Sequence, residues 1–460
     1  MNAMKANSLG NQNKERGIRK HIYGQKHTFE LDVPPGFIGL CERWLKRLLE
    51  SSFSKTDLKD VRIHKKLSHL RIDQAPFDLA HEFLLLGNVL SDVKIRIARG
   101  RCSEEEKLKQ LIENIAWELW LPDDRPLEID LRVNSVSSRL YHEGRLKRLV
   151  SESLAEILKK NKPNGSKKVL LPLNVALDIV LEREVLEVFL SLGGRNFWQR
   201  GQKQTFEHAA PLREDIAACL VERLKEVSDE WCPKLTPTAV LNPFCGTGTL
   251  LHETALHLAG IGQELSQTDE WPYQQFPFFR ASAFAHTRKR LRERLRTQQT
   301  QIFFNGEDMD ENLCRASQSW FESQPIADFL NYKLECMSTD STRIPSVEDD
   351  KIHRSGELVW LLANPPFGLR LSNTAQGGTV QVYKKFAERI AKQAGLLRPN
   401  ESVWVGLVLC PNEETWKCMQ KTLNGFVQRC EHFTLGGIDL RAFYFCNRSA
   451  SISSTGRAKS

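Results

Sequence analysis

The sequence has no pair of cysteines spaced as C-x-x-C, although it holds eleven cysteines in 460 residues. Scattered singly, they neither frame a disulfide scaffold nor match zinc-ligand spacing, so they are expected to be small core residues in a reducing compartment. No apolar run approaches the roughly eighteen residues that span a bilayer, and the amino-terminal stretch is polar and basic, unlike a secretory signal. Neither a membrane partner nor a metal is expected, and the expected location is the cytoplasm. No segment repeats at a fixed period, and biased composition is confined to the two termini.

What remains is an ordinary globular composition, 41% hydrophobic and 27% charged, which excludes wholesale disorder. The length exceeds what one core usually fills, so two or three compact units are expected. The formal charge of +8 suits a polyanionic partner, because fixed Lys and Arg attract phosphates and release their counterions.

Residues 1 to about 25 lack hydrophobic periodicity and read as a mobile tail. Short apolar runs follow at Phe29–Val33, Val61–Ile63 and Val93–Ile97, with a helix over Phe37–Leu49. Glu104–Trp120 reads as one helix and Leu127–Val133 as a strand. Leu146, Val150, Leu154 and Ile157 mark one face of a further helix. The polar stretch Lys159–Lys168 is expected to be a loop, followed by strands at Val169–Leu171, Ala176–Leu181 and Val185–Leu192. Beyond Gly193-Gly194 come a helix over Pro211–Val227 and four fully apolar strands: Ala239–Leu241, Ile302–Phe304, Leu358–Ala363 and Val403–Leu409. Continuous apolarity, in place of alternation, is the mark of parallel strands covered on both faces, hence of a doubly wound sheet.

Val240-Leu241-Asn242-Pro243-Phe244-Cys245-Gly246-Thr247-Gly248-Thr249-Leu250-Leu251 reads as strand, turn and helix start. Gly246 and Gly248 let the backbone approach a ligand, and the helix N-terminus offers unpaired N–H groups to an anion such as the carboxylate of a methionine moiety. After Ile302–Phe304 stands Gly306-Glu307-Asp308, where an acidic side chain at a strand end can take both hydroxyls of a ribose. After Lys333–Cys336 stands Ser338-Thr339-Asp340-Ser341, where Asp340 can accept from an adenine amino group. Gly246 and Asp308 are 62 residues apart, far beyond the roughly 20 of a minimal nucleotide-binding unit, so a segment is inserted after the first helix.

Asn364-Pro365-Pro366-Phe367-Gly368 directly follows the most hydrophobic strand, which projects it into the ligand crevice of such a sheet. An exocyclic nucleobase amine is a poor nucleophile because its lone pair is delocalised into the ring. The Asn364 side-chain oxygen and the Pro365 carbonyl can each accept one amine N–H and localise that lone pair. Pro365 and Pro366 fix the carbonyl direction, and Phe367 supplies a flat face for an extruded base.

These residues together resemble the THUMP-containing RNA guanine-N2 methyltransferases, in particular the bacterial branch acting on 23S (large-subunit) ribosomal RNA, over about residues 28–446. Phe29 to Phe37 looks like the opening strand and Pro-Gly turn of that family's ferredoxin-like unit. Ser138-Arg139-Leu140-Tyr141-His142-Glu143-Gly144 is similar to the THUMP signature, and Gly201 with His208 to Glu214 to the linker before the catalytic domain. Pro272 to Phe279 resembles an aromatic excursion of the ribosomal branch. The resemblance implies an α/β protein whose C-terminal Rossmann-like class I methyltransferase domain follows an α+β ferredoxin-like and THUMP region. The expected boundaries are a tail (1–25), a ferredoxin-like unit (26–75), a THUMP-like domain (76–193), a linker and helix (194–236), the methyltransferase domain (237–448) and a second tail (449–460).

By the same resemblance S-adenosyl-L-methionine is the cofactor. Asn242, Phe244, Gly246 and Gly248 line its methionine end, Asp308 takes the ribose, and Asp340 with Ser341 the adenine. Asn364, Pro365, Pro366 and Phe367 hold the target base, and Arg139, His142, Arg145, Lys147, Arg148, Arg288 and Arg290 face RNA. Asn242 stands where the family has Asp, which removes a negative charge beside the cofactor. Three alternatives stay open: a transfer-RNA guanine-N2 enzyme, an adenine-N6 enzyme, and a catalytically weak ribosome assembly factor.

Overall fold

The four apolar runs beyond residue 230 lie side by side in one sheet. The computed structural model describes residues 15–53, 58–160, 170–199, 212–262, 271–295, 298–338, 357–366, 376–395, 402–435 and 437–449. The chain falls into two units: 1–34 with 41–199 and 267–292, and 35–40 with 200–266 and 293–460.

The first unit is built on strands β1 (Lys26–Asp32), β2 (Arg62–Lys65), β3 (His69–Pro76), β4 (Asp92–Arg101), β5 (Leu127–Val136), β6 (Leu173–Glu182) and β7 (Val185–Ser191). They form a single sheet in the order β2-β3-β1-β4-β7-β6-β5, antiparallel except for β5 and β6. Its helices are α1 (Ile38–Ser52), α2 (Leu79–Leu86), α3 (Glu105–Glu113), α4 (Trp117–Trp120) and α5 (Glu143–Lys160). Several elements differ from the sequence reading. The helix expected over Glu104–Trp120 is broken, and the Trp117 indole N–H donates to Ile112 O at the end of α3 (2.9 Å). Lys159 and Lys160 continue α5 instead of opening a loop. Leu171 precedes β6 and is 83% exposed, so the strand expected at Val169–Leu171 does not extend through it; Val169 lies outside the described residues.

The second unit contains α6 (Glu214–Trp231), β8 (Pro237–Asn242) and α7 (Thr249–Ala259). Between α7 and the next strand, the chain returns to the first unit as a 3-10 turn (Pro272–Gln275) and most of α8 (Ala281–Arg294). Then follow β9 (Gln298–Asp308), α9 (Glu311–Glu322), β10 (Leu330–Ser338), β11 (Leu358–Ala363), α10 (Gln376–Ala394), β12 (Val403–Cys410), α11 (Glu413–Thr422), β13 (Phe426–Leu435) and β14 (Ile438–Ser449). The sheet order is β10-β9-β8-β11-β12-β14-β13, parallel from β10 to β12 and antiparallel for β14 and β13. Every residue of β11 and β12 is buried, as strands covered on both faces require. On one face Tyr383, Phe386 and Ile390 of α10 pack over Leu241, Leu361 and Val408; on the other the Trp360 indole donates to Ser228 of α6 (3.1 Å). This is a doubly wound, mainly parallel Rossmann-like sheet. Strand order reverses at β8 and β11, which opens a crevice at their carboxyl ends.

The inserted excursion packs with the first unit. Tyr273 N donates to Leu192 O (3.1 Å), and its hydroxyl lies 2.6 Å from His81 Nε2. Tyr23 donates to Phe278 O (2.7 Å), Phe278 meets Phe77 and Trp120 edge-on, and the Arg280 guanidinium lies 3.4 Å from the centre of the Tyr23 ring. Burial holds the His81 imidazole down at about 4, so the ring is neutral in this aromatic nest.

One face of the first sheet hides a charged network. Lys94 Nζ lies 2.5 Å from Asp32 and 2.6 Å from Asp178, and Arg195 completes it 2.6 Å from Asp178. Burial opposes the Lys94 ammonium, but the carboxylates overcome it and hold the charge. Burial pushes Asp92 up to about 7, although Lys94 and the Ser191 hydroxyl (2.7 Å) favour its anion. The native state therefore keeps a proton on Asp92 that the unfolded chain has lost, and stability falls as pH rises from about 4 to about 7. Asp92→Asn should remove that slope. The variant should gain stability over the parent at pH 8, by up to ~4 kcal/mol, and show little gain at pH 4 in urea unfolding. A gain independent of pH would contradict the assignment.

Candidate active site and cofactor cleft

The loop after β8 is shaped by its glycines, each for its own reason. Gly246 has φ +52° with open space where a side chain would stand, so ligand backbone access is unobstructed there. Gly248, φ +82°, caps α7, and a Cβ there would strike the Ser317 hydroxyl of α9. The sequence reading gave both glycines to ligand approach; Gly248 serves packing against α9. The loop is stitched to β9 by Cys245 N to Glu307 O (2.8 Å) and Gly246 N to Asp308 Oδ2 (2.9 Å). The other Asp308 oxygen accepts from Asp310 N (3.1 Å). Two bonds fix the carboxylate in place and leave lone pairs on both oxygens, the capacity a vicinal diol needs. At the start of α7 the first-turn N–H groups have no partner within the helix.

Beneath the loop, thiols from three elements converge: Cys245, Cys314 of α9 and Cys336 of β10. The hydrogen bond to Cys314 and burial push the Cys245 thiol far up, so it stays protonated as a packing residue.

The lip begins one residue past β11. Asn364 Oδ1 is shut off from solvent and accepts no hydrogen bond from any described residue, which is unusual for a buried polar atom. Pro365 is buried and Pro366 exposed. Phe244 differs from the role expected of it: its ring packs edge-on against Phe386 (5.1 Å) as part of the core beneath the loop. Asn242 is 1% exposed; one atom of its side-chain amide lies 3.2 Å from Phe244 O and 3.0 Å from Leu362 O on β11 and is assigned as the nitrogen, since an oxygen there would face two carbonyls. Phe367, Asp340 and Ser341 lie outside the described residues. Gly246, Asp308 and Asn364, separated along the sequence, all sit at the carboxyl ends of the central strands.

Among the basic candidates, Arg139, His142, Lys147 and Arg148 are exposed around the start of α5. Arg145 is exposed as well and pairs with Glu105 at 2.5 Å, a weak surface bridge that phosphate can displace. Arg290 is a correction. It pairs with Glu82, whose side chain is wholly buried, and donates to Ser52 O (3.0 Å), so its charge neutralises a buried carboxylate. Arg288 is half-buried and lies over the Phe284 ring. The sequence reading passed over Tyr141, 65% exposed with its ring 4.0 Å from that of His142. The loop that presents it is tied by Ser135 Oγ to Leu140 O (2.5 Å) and Arg139 N to Glu184 (2.9 Å).

Residues 200–422 match the family model described as the RMKL-like methyltransferase domain. The chain carries a methyltransferase domain. Ribosomal RNA large subunit methyltransferase K/L of Shewanella sp. (strain W3-18-1) is 24% identical over 326 residues, 70% of this chain and 42% of that protein. The chain thus spans less than half the length of the curated relatives it matches. SMU.472, assigned to the methyltransferases and crystallised with SAH, superposes with a TM-score of 0.67 at 15% identity, over 92% of this chain and 98% of that one. TrmN from Thermus thermophilus superposes with a TM-score of 0.57 at 17% identity, over 91% and 99%. At these identities the structural likeness is one of fold. Among the described residues no helix of the methyltransferase domain, or of the unit before it, is long and apolar enough to cross a membrane.

Proposed function

We propose that the methyltransferase domain transfers a methyl group from S-adenosyl-L-methionine to the exocyclic N2 amine of a guanosine in large-subunit ribosomal RNA. The observation that carries this reading is the buried Asn364 Oδ1 at the end of β11, an acceptor for which no described residue supplies a donor. The residues of the cleft fit the cofactor: the start of α7 offers N–H groups to its carboxylate, the absent side chain at Gly246 leaves room for its approach, and Asp308 offers its free lone pairs to the ribose. When bound, the cofactor supplies an electrophilic sulfonium methyl.

The chain supplies position and polarity. Asn364 Oδ1 and the Pro365 carbonyl each accept one N–H of the target amine, which turns its lone pair out of conjugation. Both dipoles also face the positive charge that grows on nitrogen as the bond forms. No strong base is needed, because the methylated amine is acidic enough to lose a proton to water. The RNA part of the reading rests on the names of the ribosomal relatives and on the exposed basic and aromatic surface at Arg139, Tyr141 and His142, whose rings suit an unpaired base. Large-subunit ribosomal RNA, transfer RNA and DNA incubated with the protein and methyl-labelled cofactor test the substrate class. Label is expected in large-subunit RNA; label in DNA alone would overturn the RNA assignment.

A further inference from the structure

The residue that departs from the family pattern sits at the seam between the two halves of the proposed site. Asn242 ends β8, and β8 is hydrogen-bonded to β11, the strand that carries the lip. Its side chain is 1% exposed, too deep to be a surface contact of a ligand. One amide atom lies 3.2 Å from Phe244 O in the cofactor loop and 3.0 Å from Leu362 O, two residues before Asn364; it is assigned as the nitrogen, because an oxygen there would face both carbonyls and gain only a long contact with Phe244 N (3.3 Å). A carboxylate has no proton to give and would set an anionic oxygen against both. The chemistry of the spot calls for a donor, which Asn has and an ionised Asp lacks.

We infer that Asn242 is a positioning residue whose side-chain amide clamps the cofactor loop to the lip strand and so sets the distance between methyl donor and target amine. The inference rests on the reading of the site given above and deepens it: Asn242 acts through Phe244 and Leu362 on the backbone geometry, and touches neither cofactor nor base. Its replacement of the usual acid is then a matched change of tie and not a loss of cofactor charge. Loosening the clamp shifts the lip relative to the loop, and a misplacement of about 1 Å at the reacting atoms costs on the order of 100-fold in rate.

Asn242→Asp and Asn242→Ala, compared with the parent, test this by three readouts. At pH 8 both variants should lose about 100-fold in kcat, with cofactor affinity by calorimetry unchanged. As pH falls, the carboxyl introduced by Asn242→Asp gains a proton and again donates one bond, so its kcat relative to the parent should recover while that of Asn242→Ala stays flat. The groups on elements packed around β8 are Cys245 in the loop, Glu307 and Asp308 on β9, His252, Glu253 and His257 on α7, and Tyr383 on α10; all are common to the three proteins, so their contributions cancel in the ratio. The third readout needs no activity. Facing two carbonyls, the introduced carboxyl has a raised folded-state pKa, so the Tm deficit of Asn242→Asp should widen as pH rises and that of Asn242→Ala should not. Weakened cofactor binding with unchanged kcat would make Asn242 a cofactor ligand and overturn the inference, as would parent-like kcat in Asn242→Asp at pH 8. Absence of methyl transfer by the parent would count against the proposed function instead, and the Tm series would still decide the clamp.

Discussion

Asn364→Ala should lower methyl transfer by roughly 10²–10³-fold, about 3–4 kcal/mol of barrier, and leave cofactor affinity where it is. The size follows from what the side chain does. Its oxygen meets no donor among the described residues and is shut off from water, and on the proposed reading it accepts from the incoming amine. Such a dipole stabilises developing charge without reorganising, which makes it worth far more than a solvated hydrogen bond. In the proposed site the loop and Asp308 hold the cofactor, and among the described residues no hydrogen bond links them to the Asn364 oxygen. Single-turnover transfer and calorimetry on the same preparation separate the two effects. Parent-like turnover in the variant would remove Asn364 from the chemistry.

Lys94→Met should destabilise the first unit by about 3–5 kcal/mol, the usual result of removing one partner from a buried charged set. The methionine keeps the aliphatic volume but leaves Asp32 and Asp178 without the ammonium that now lies 2.5 and 2.6 Å away. Arg195 still reaches Asp178, yet nothing comparable remains for Asp32. Urea unfolding at pH 7 measures the loss, and part of it should return at pH 4, where the carboxyls can bind protons. A change below about 1 kcal/mol would mean that the pair behaves like a solvent-screened surface bridge.

The catalytic half was legible because its signals are local. Leu358–Ala363 is apolar at every position, which admits only a strand covered on both sides, and the glycines and acidic residue that follow β8 and β9 stand where a parallel sheet opens its crevice. The hairpin of β13 and β14 was missed because Gln428, Arg429, Glu431 and His432 interrupt any apolar run; the ladder itself and the pair of Arg429 with Glu230 (2.7 Å) hold it. In the first unit α2 escaped notice because nearly all of Leu79–Leu86 is buried, and a helix apolar all round has no periodic face. Strand β3 hid its alternation of Leu70 and Ile72 with charged residues of the sheet network. Two features lay beyond any local pattern. Arg290 finds Glu82 across 208 residues of sequence, and Tyr273 finds His81 across 192. A basic strip read from sequence cannot show which of its charges are already spent inside the fold. Asn242 could be seen as an exception from sequence, but the Leu362 carbonyl that helps explain it becomes a neighbour only when β8 and β11 pair.

The most direct test of the central claim is the identity of the methylated nucleoside. Large-subunit ribosomal RNA lacking the modification is incubated with the protein and labelled S-adenosyl-L-methionine, digested to nucleosides and separated by mass spectrometry. The account predicts label in N2-methylguanosine, and its absence when Asn364→Ala replaces the parent protein. Label confined to N6-methyladenosine would contradict the guanine assignment, and no labelled nucleoside from any RNA would contradict the proposed activity itself.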